Sequence, residues 1–271
     1  MLIERIFADN EGRNFHFLVA CERTGEALAI DPLNWQACLA RAQELNWTIR
    51  QIFNTHEHGD HTGGNAPLVR KTGASVLAHA AAVGRIPGVT HGLNGGELVH
   101  VGSTVQLRCL DTPGHTLAHL CLYAEATGAD SSAAQPPALF SGDTLFNAGV
   151  GNCIHGGDPQ LLYESYADCL SRLPATTRVF PGHEYLARNL AFTLDREPSN
   201  QTARELAQRV AGLAAKDMPI LTLSEEKQIN VFFRLDSPEI IAGLRKLRLE
   251  LPAEPSPREV FLALRELRNR W

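Results

Sequence analysis

Residues 55 to 61 read Thr-His-Glu-His-Gly-Asp-His, which sets His56, His58 and His61 beside the carboxylates of Glu57 and Asp60. Imidazole nitrogen and carboxylate oxygen are borderline to hard ligands that together suit zinc, iron or manganese. In an extended or turning loop His56 and His58 project to one side, while Asp60 and His61 reach round to a second position. One loop can therefore serve two ions, and the chemistry open to such a pair is metal-assisted hydrolysis.

A loop of this kind needs rigid elements to aim it. The apolar run Ile49 to Asn54 predicts a strand that feeds the His-rich segment directly, with earlier strands over Arg13 to Cys21 and Glu26 to Asp31 and a helix over Trp35 to Leu45. Further strands are expected over Ser75 to Ala78, Val105 to Asp111, His119 to Ala124, Ala138 to Ser141 and Arg178 to Phe180, with a helix from Gln160 to Arg172. Gly128 to Ala138 is poor in bulky residues and reads as an exposed connector. Beyond His183 helical patterns dominate, over Tyr185 to Leu194, Gln201 to Ala215, Pro238 to Leu249 and Pro257 to Arg270. The expected organisation is a catalytic domain over residues 1–186 and a helical substrate-binding domain over residues 187–271.

Composition narrows the class. Hydrophobic residues at 44% and charged residues at 20% of 271 belong to a folded globular chain. No stretch approaches the roughly 18 apolar residues of a membrane span. The N-terminus lacks the pattern of a secretory signal, so a cytoplasmic location is expected. The net charge of −5 argues against nucleic acid, which needs a basic footprint. The basic residues are unevenly spread, and from Leu244 onward seven of them face four acidic ones. The six cysteines show no CxxC pairing and read as free thiols. No GxSxG elbow is present, and Cys153 has no motif partner that would make it a nucleophile.

The His-rich motif does not stand alone. THEHGDH resembles the THxHxDH signature of the metallo-β-lactamase superfamily, and three more of that family's motifs follow in order. They are Pro113-Gly114-His115-Thr116, Ser141-Gly142-Asp143-Thr144-Leu145-Phe146 and Pro181-Gly182-His183-Glu184-Tyr185. The resemblance implies an α+β fold, a four-layer αββα sandwich with a C-terminal helical domain. It also implies two divalent ions, zinc first with iron or manganese compatible. His56, His58 and His115 would hold one ion, Asp60, His61 and His183 the other, and Asp143 would bridge them. Such a pair lowers the pKa of a shared water from roughly 15.7 toward 7, and Asp60 and Asp143 would position the resulting hydroxide. A binding module without catalysis is disfavoured, because all seven ligand types are intact.

Within that superfamily the chain is most similar to the hydroxyacylglutathione hydrolases, or glyoxalase II enzymes. Ile229 to Arg234 resembles their NPFxR stretch, and Ala263 to Trp271 their terminal basic helix. The likeness implies glutathione thioesters as substrate, with Tyr185, Arg265, Arg268 and Asn152 as contacts. Arg265 and Arg268, three residues apart, share a helix face and suit a carboxylate. The pattern departs at one place: after GDTLF the family carries a basic and then an aromatic contact, where this chain has Asn152 and Ile154. A persulfide dioxygenase with one iron, or a lactone or β-lactam hydrolase on the same metal site, are the alternatives. The sequence leaves the oligomeric state open.

The remaining histidines are read outside the ligand set. His16, His79, His91 and His100 have no ligand-like neighbours. His119 lies in a strand-like stretch and is expected to support or pack. His155 lies near the mouth of the site, as an exposed loop residue that could touch substrate.

Overall fold

The computed structural model describes residues 1–126, 135–247 and 251–271. Its first sheet has six strands in the order β1 (Leu2–Phe7), β2 (Phe15–Ala20), β3 (Glu26–Ile30), β4 (Thr48–Phe53), β5 (Ser75–His79) and β6 (Val89–Leu93). β1 to β3 are antiparallel and β3 to β6 parallel. The parallel crossovers carry α1 (Trp35–Glu44), then α2 (Gly59–Thr62) and α3 (Asn65–Thr72). β2 is buried along its whole length, as expected of a strand covered on both faces.

The second sheet has five strands. β7 (Leu98–Val101), β8 (Val105–Asp111), β9 (Leu120–Ala124) and β10 (Ala138–Gly142) run antiparallel, and β13 (Arg178–Pro181) adds to β10 in parallel. A small ribbon of β11 (Leu145–Phe146) and β12 (Gly149–Val150) stands beside it. The helices that follow are α4 (Pro159–Glu164), α5 (Leu186–Arg196), α6 (Gln201–Val210), α7 (Leu223–Ile229), α8 (Pro238–Leu247) and α9 (Pro257–Arg270).

The two sheets face each other across an apolar core. Phe17 from the first sheet meets Phe140 and Phe180 from the second, with ring centroids 5.4 and 5.6 Å away. On the outer face of the first sheet, Leu18, Ala29 and Ile52 pack against Cys38, Ala42 and Leu68 of α1 and α3. On the outer face of the second, Leu139 and Val179 share one core with Tyr166, Phe232, Phe261 and Leu264. The result is four layers, helix, sheet, sheet and helix, with the C-terminal helices in the last of them.

Several expectations change. The helix expected over Gln160 to Arg172 is α-helical only to Glu164, and continues as a widened π turn over residues 165–169 and a 3-10 turn over 170–172. Tertiary bonds accompany the change of pitch: the Ser165 hydroxyl donates to the Pro113 carbonyl at 2.7 Å and the Tyr166 hydroxyl to that of Gly149 at 3.0 Å. α6 stops at Val210 and not at Ala215, because Gly212 takes φ +78° and turns the chain. β1, β6, β7, α3 and α7 are elements that were not expected from the sequence. α7 did carry a start signal, since Thr222 and Glu225 form a reciprocal capping box. Of the connector expected over residues 128–138, positions 128–134 lie outside the described residues, as do 248 and 249 of the helix expected to end there. Among the described residues no helix is long and apolar enough to cross a membrane.

Candidate metal centre

Four strand ends converge at one edge of the sandwich. β4 delivers His56 and His58 and runs into the single turn of α2, which carries Asp60 and His61. β8 leads to His115, β10 to Asp143 and β13 to His183. The approach is too close for side chains at two glycines. A Cβ on Gly142, at φ +48°, would lie 2.6 Å from Thr55 Oγ1, and one on Gly182 would lie 2.6 Å from Asp143 Oδ1.

The ligand-type atoms form three overlapping groups: His56, His58 and His115; Asp60, His61 and His183; and His56, His61 and Asp143. In the first, His58 Nδ1 is 3.1 Å from His56 Nε2 and 3.0 Å from His115 Nε2. In the second, His61 Nε2 is 3.2 Å from His183 Nε2, which is 3.4 Å from Asp60 Oδ2. Asp143 spans both, with Oδ1 3.4 Å from His61 and Oδ2 3.4 Å from His115 and 3.2 Å from His183. Glu57, the other carboxylate of the motif, pairs instead with Arg85 at 2.9 Å.

The outer nitrogens decide what the inner ones can do. His61 Nδ1 meets Asp31 Oδ2 at 2.9 Å, His115 Nδ1 the Asn152 carbonyl at 2.6 Å, and His183 Nδ1 the Gly12 carbonyl at 2.6 Å. Each of these acceptors holds a ring proton on the outside, so the inner Nε2 atoms are the ones left to bind a metal. Lone pairs converging at about 3 Å repel unless a cation lies between them. A tetrahedral ion with bonds of about 2.0 to 2.1 Å holds neighbouring ligand atoms roughly 3.3 Å apart, close to these separations. The donor set therefore fits divalent metal ions.

Charge within the cluster is strongly coupled. Burial opposes ionisation of Asp143, but His183, His61 and His115 outweigh it and hold the carboxyl well below the usual range. Burial likewise works against charge on His61, yet Asp143, Asp31 and Asp60 carry it up to about 10, so a metal ion would bind there by displacing the Nε2 proton. His56 and His119 are driven well below the ordinary histidine value, chiefly by burial.

The supporting residues were the least legible in the sequence. Asp31 also accepts from the Thr55 N–H at 2.9 Å and the Thr55 hydroxyl at 2.7 Å, and Asn14 donates to Asp60 at 3.1 Å. These partners lie far from the motif along the chain and leave no local signal. His119, expected to support or pack, stacks on His56 at 5.2 Å, and its Nε2 accepts the Asp143 N–H at 3.2 Å. His155 is exposed and its carbonyl lies 3.2 Å from His58 Nε2. His16 is buried and accepts the Asn34 N–H at 3.0 Å, whereas His91 and His100 are exposed. His79 pairs with Asp111 at 3.0 Å, and all six cysteines are free.

A cavity of about 240 Å³ opens beside the cluster, lined by Tyr185, Asn152, Arg265 and Arg268 and also by Arg188 and Asn189, which the motifs did not single out. Tyr185 stacks on His183 at 5.1 Å and donates its hydroxyl to the Gly12 carbonyl at 2.9 Å. Burial, with Asp143 and Asp60, pushes the Tyr185 phenol up to about 12 and keeps it a donor. The Asn152 side chain accepts from the Ile154 N–H at 3.2 Å. Arg268 donates to Asn189 at 3.2 Å and lies over the rings of Phe192 and Trp271. Arg265 is only 4% exposed. Its guanidinium donates to the carbonyls of Val150 and Gly151 at 3.0 Å and to Asn269 at 2.8 Å. Arg265 thus lines the cavity, as a substrate contact must, with three of its hydrogen bonds made within the protein.

Comparison with known proteins agrees with this architecture. Residues 18–183 match the metallo-beta-lactamase superfamily and residues 184–271 the hydroxyacylglutathione hydrolase C-terminus. Proteins named hydroxyacylglutathione hydrolase from Nitrosococcus oceani and a Polaromonas species are 53% and 52% identical, each over 100% of both chains. One from Arabidopsis thaliana, named as cytoplasmic, is 31% identical over 95% of this chain and 93% of its own. Among solved structures, ETHE1 from Myxococcus xanthus superposes with a TM-score of 0.65 at 25% identity, covering 99% of this chain and 98% of that one. TTHA1623 in a di-iron-bound form gives a TM-score of 0.58 at 27% identity, covering 84% and 99%. With both halves matched and full-length relatives above half identity, the chain belongs to the hydroxyacylglutathione hydrolase family, a group of metal-dependent hydrolases on the metallo-beta-lactamase fold.

Proposed function

We propose that the protein hydrolyses S-2-hydroxyacylglutathione thioesters, such as S-lactoylglutathione, to glutathione and a 2-hydroxy acid. The observation that carries this reading is the convergence of two ligand triads on one shared carboxylate, Asp143, beside a cation-lined cavity. His56, His58 and His115 would hold one divalent ion, and Asp60, His61 and His183 the other, with Asp143 available to both. Zinc suits this nitrogen and oxygen set, and the di-iron form of a relative makes iron the main competitor. When bound, such a pair supplies a nucleophilic water near neutral pH and polarises a carbonyl.

The chain's own residues do the rest. Asp31, Gly12 and the Asn152 carbonyl fix the tautomers of the ligand imidazoles, so their lone pairs point inward without rearrangement. Asp60 and Asp143 would position the attacking water. Tyr185 and Arg268 line the cavity in which the thiol portion of the substrate lies. Residues 1–186 form the catalytic domain and 187–271 the substrate-binding domain, and the enzyme works in the cytoplasm, as the name of the Arabidopsis relative suggests.

The persulfide dioxygenase and the lactone or β-lactam readings yield to full-length relatives named hydroxyacylglutathione hydrolase. Turnover by metal-replete protein tests the choice, with S-lactoylglutathione, glutathione persulfide, an acyl-homoserine lactone and a β-lactam assayed side by side. Preferential hydrolysis of the thioester is expected. Oxygen uptake with the persulfide, or lactone or β-lactam opening without thioesterase activity, overturns it.

A further inference from the structure

We propose that Arg188, a position outside every motif, is the principal cation for a substrate carboxylate, while Arg265 serves to hold the wall of the cavity. The inference rests on the glutathione-thioester reading above and assigns a role within it. Three guanidinium groups line the cavity, those of Arg188, Arg265 and Arg268, and no acidic side chain among the described residues lines it.

Their free donors differ. Arg265 is buried and bound to two backbone carbonyls and Asn269. Arg268 is half-buried, bound to Asn189 and held between two aromatic rings. Arg188 is exposed and forms no ion pair or side-chain hydrogen bond among the described residues. Its whole donor fork is open, the arrangement that a carboxylate can meet with two parallel hydrogen bonds.

Local rules argue against a cation at this place unless a ligand compensates for it. Arg188 is the third residue of α5, where the helix dipole favours negative charge, and the first turn of that helix has no acidic residue. It also repels Arg268, whose guanidinium is lowered first by its burial and then by Arg188. Both penalties are relieved by an anion seated between them. The position suits a substrate whose other end reaches the metal centre, because Arg188 lies one helical turn after Tyr185, and Tyr185 stacks on the metal-cluster residue His183. The chemistry recognised is a thioester whose thiol portion ends in a carboxylate. Arg188 thus supplies a positive charge in the wall where Asn152 supplies none.

The test is steady-state kinetics of metal-replete wild type, Arg188→Ala and Arg188→Lys. Two substrates are compared: S-lactoylglutathione and the S-lactoyl thioester of N-acetylcysteamine, which has no carboxylate. Arg188→Ala is expected to raise KM for S-lactoylglutathione roughly ten- to a hundredfold with kcat little changed. KM for the neutral thioester should stay at the wild-type value, and Arg188→Lys should recover part of the loss. An unchanged KM for S-lactoylglutathione, or an equal rise for both thioesters, overturns the assignment. If wild type hydrolyses neither, the thioesterase reading itself falls. Calorimetric titration with S-methylglutathione then decides the Arg188 assignment, and equal affinity for wild type and Arg188→Ala overturns it.

Discussion

The carboxylate of Asp31, at the end of β3, accepts the outer ring N–H of His61 at 2.9 Å across thirty positions of sequence. The same side chain takes the N–H and the hydroxyl of Thr55, so it ties the start of the His-rich loop to the ligand near its end. Asp31 sits at φ +48°, a left-handed conformation that Asp and Asn adopt more readily than most residues. Asp31→Asn keeps that backbone but weakens the acceptor. It should lower affinity for the ion held by Asp60, His61 and His183 roughly ten- to a hundredfold. Metal content after graded chelator dialysis checks this, and undiminished retention of both ions counts against it.

Among the described residues, Asp143 is the one carboxylate that faces both triads. Metal-replete wild type should hold two ions per chain. Asp143→Ala should lose one or both, together with most thioesterase activity, while exchange of the exposed His91 for Ala leaves both intact. Elemental analysis beside kcat is the measurement. A single ion in reconstituted wild type contradicts the ligand assignment.

Arg265→Ala should destabilise the protein even without substrate. The change strips a charged donor from the carbonyls of Val150 and Gly151 in a site only 4% exposed. A loss of about 2 to 3 kcal/mol follows for buried charge-assisted bonds, or a fall in Tm of roughly 4 to 10 °C for a chain of this size. Scanning calorimetry reads it directly. An unchanged Tm with a raised KM would return Arg265 to the role of a direct substrate contact.

Glu226, fully buried under the turn between β11 and β12, provides a pH test. Its oxygens accept from Asn147, Ala148 and Asn230. Burial pushes its carboxyl up from 4.5 to about 7, against those hydrogen bonds. The folded state then binds the proton more tightly than the unfolded one. Stability from this group is fully present below about pH 4.5 and is lost as pH rises through about 7. Glu226→Gln removes the titration, so the wild type minus variant difference in unfolding free energy should fall between pH 5 and pH 8. The expected change is on the order of 3 kcal/mol. Urea unfolding at the two pH values checks it, and a difference that does not vary with pH refutes the assignment.

What the sequence determined by itself was the chemistry. Short-range patterns sufficed, because His56, His58, Asp60 and His61 lie in one loop and the other candidate ligands each follow a strand expected from the sequence. The strands that carry them were legible from local patterns too, since β10 is buried on both faces and β8 alternates buried with exposed residues. Tertiary structure alone decided the rest. Asp31, Gly12 and Asn14 act on ligands far along the chain, and no local period records such a partnership. Arg265, Arg268 and Arg188 show the same limit: spacing marks two of them as cations on one helix face. Only the packed fold turns Arg265 inward onto backbone carbonyls and leaves Arg188 with its donors free, because burial and hydrogen-bond partners are set by what lies across the cavity.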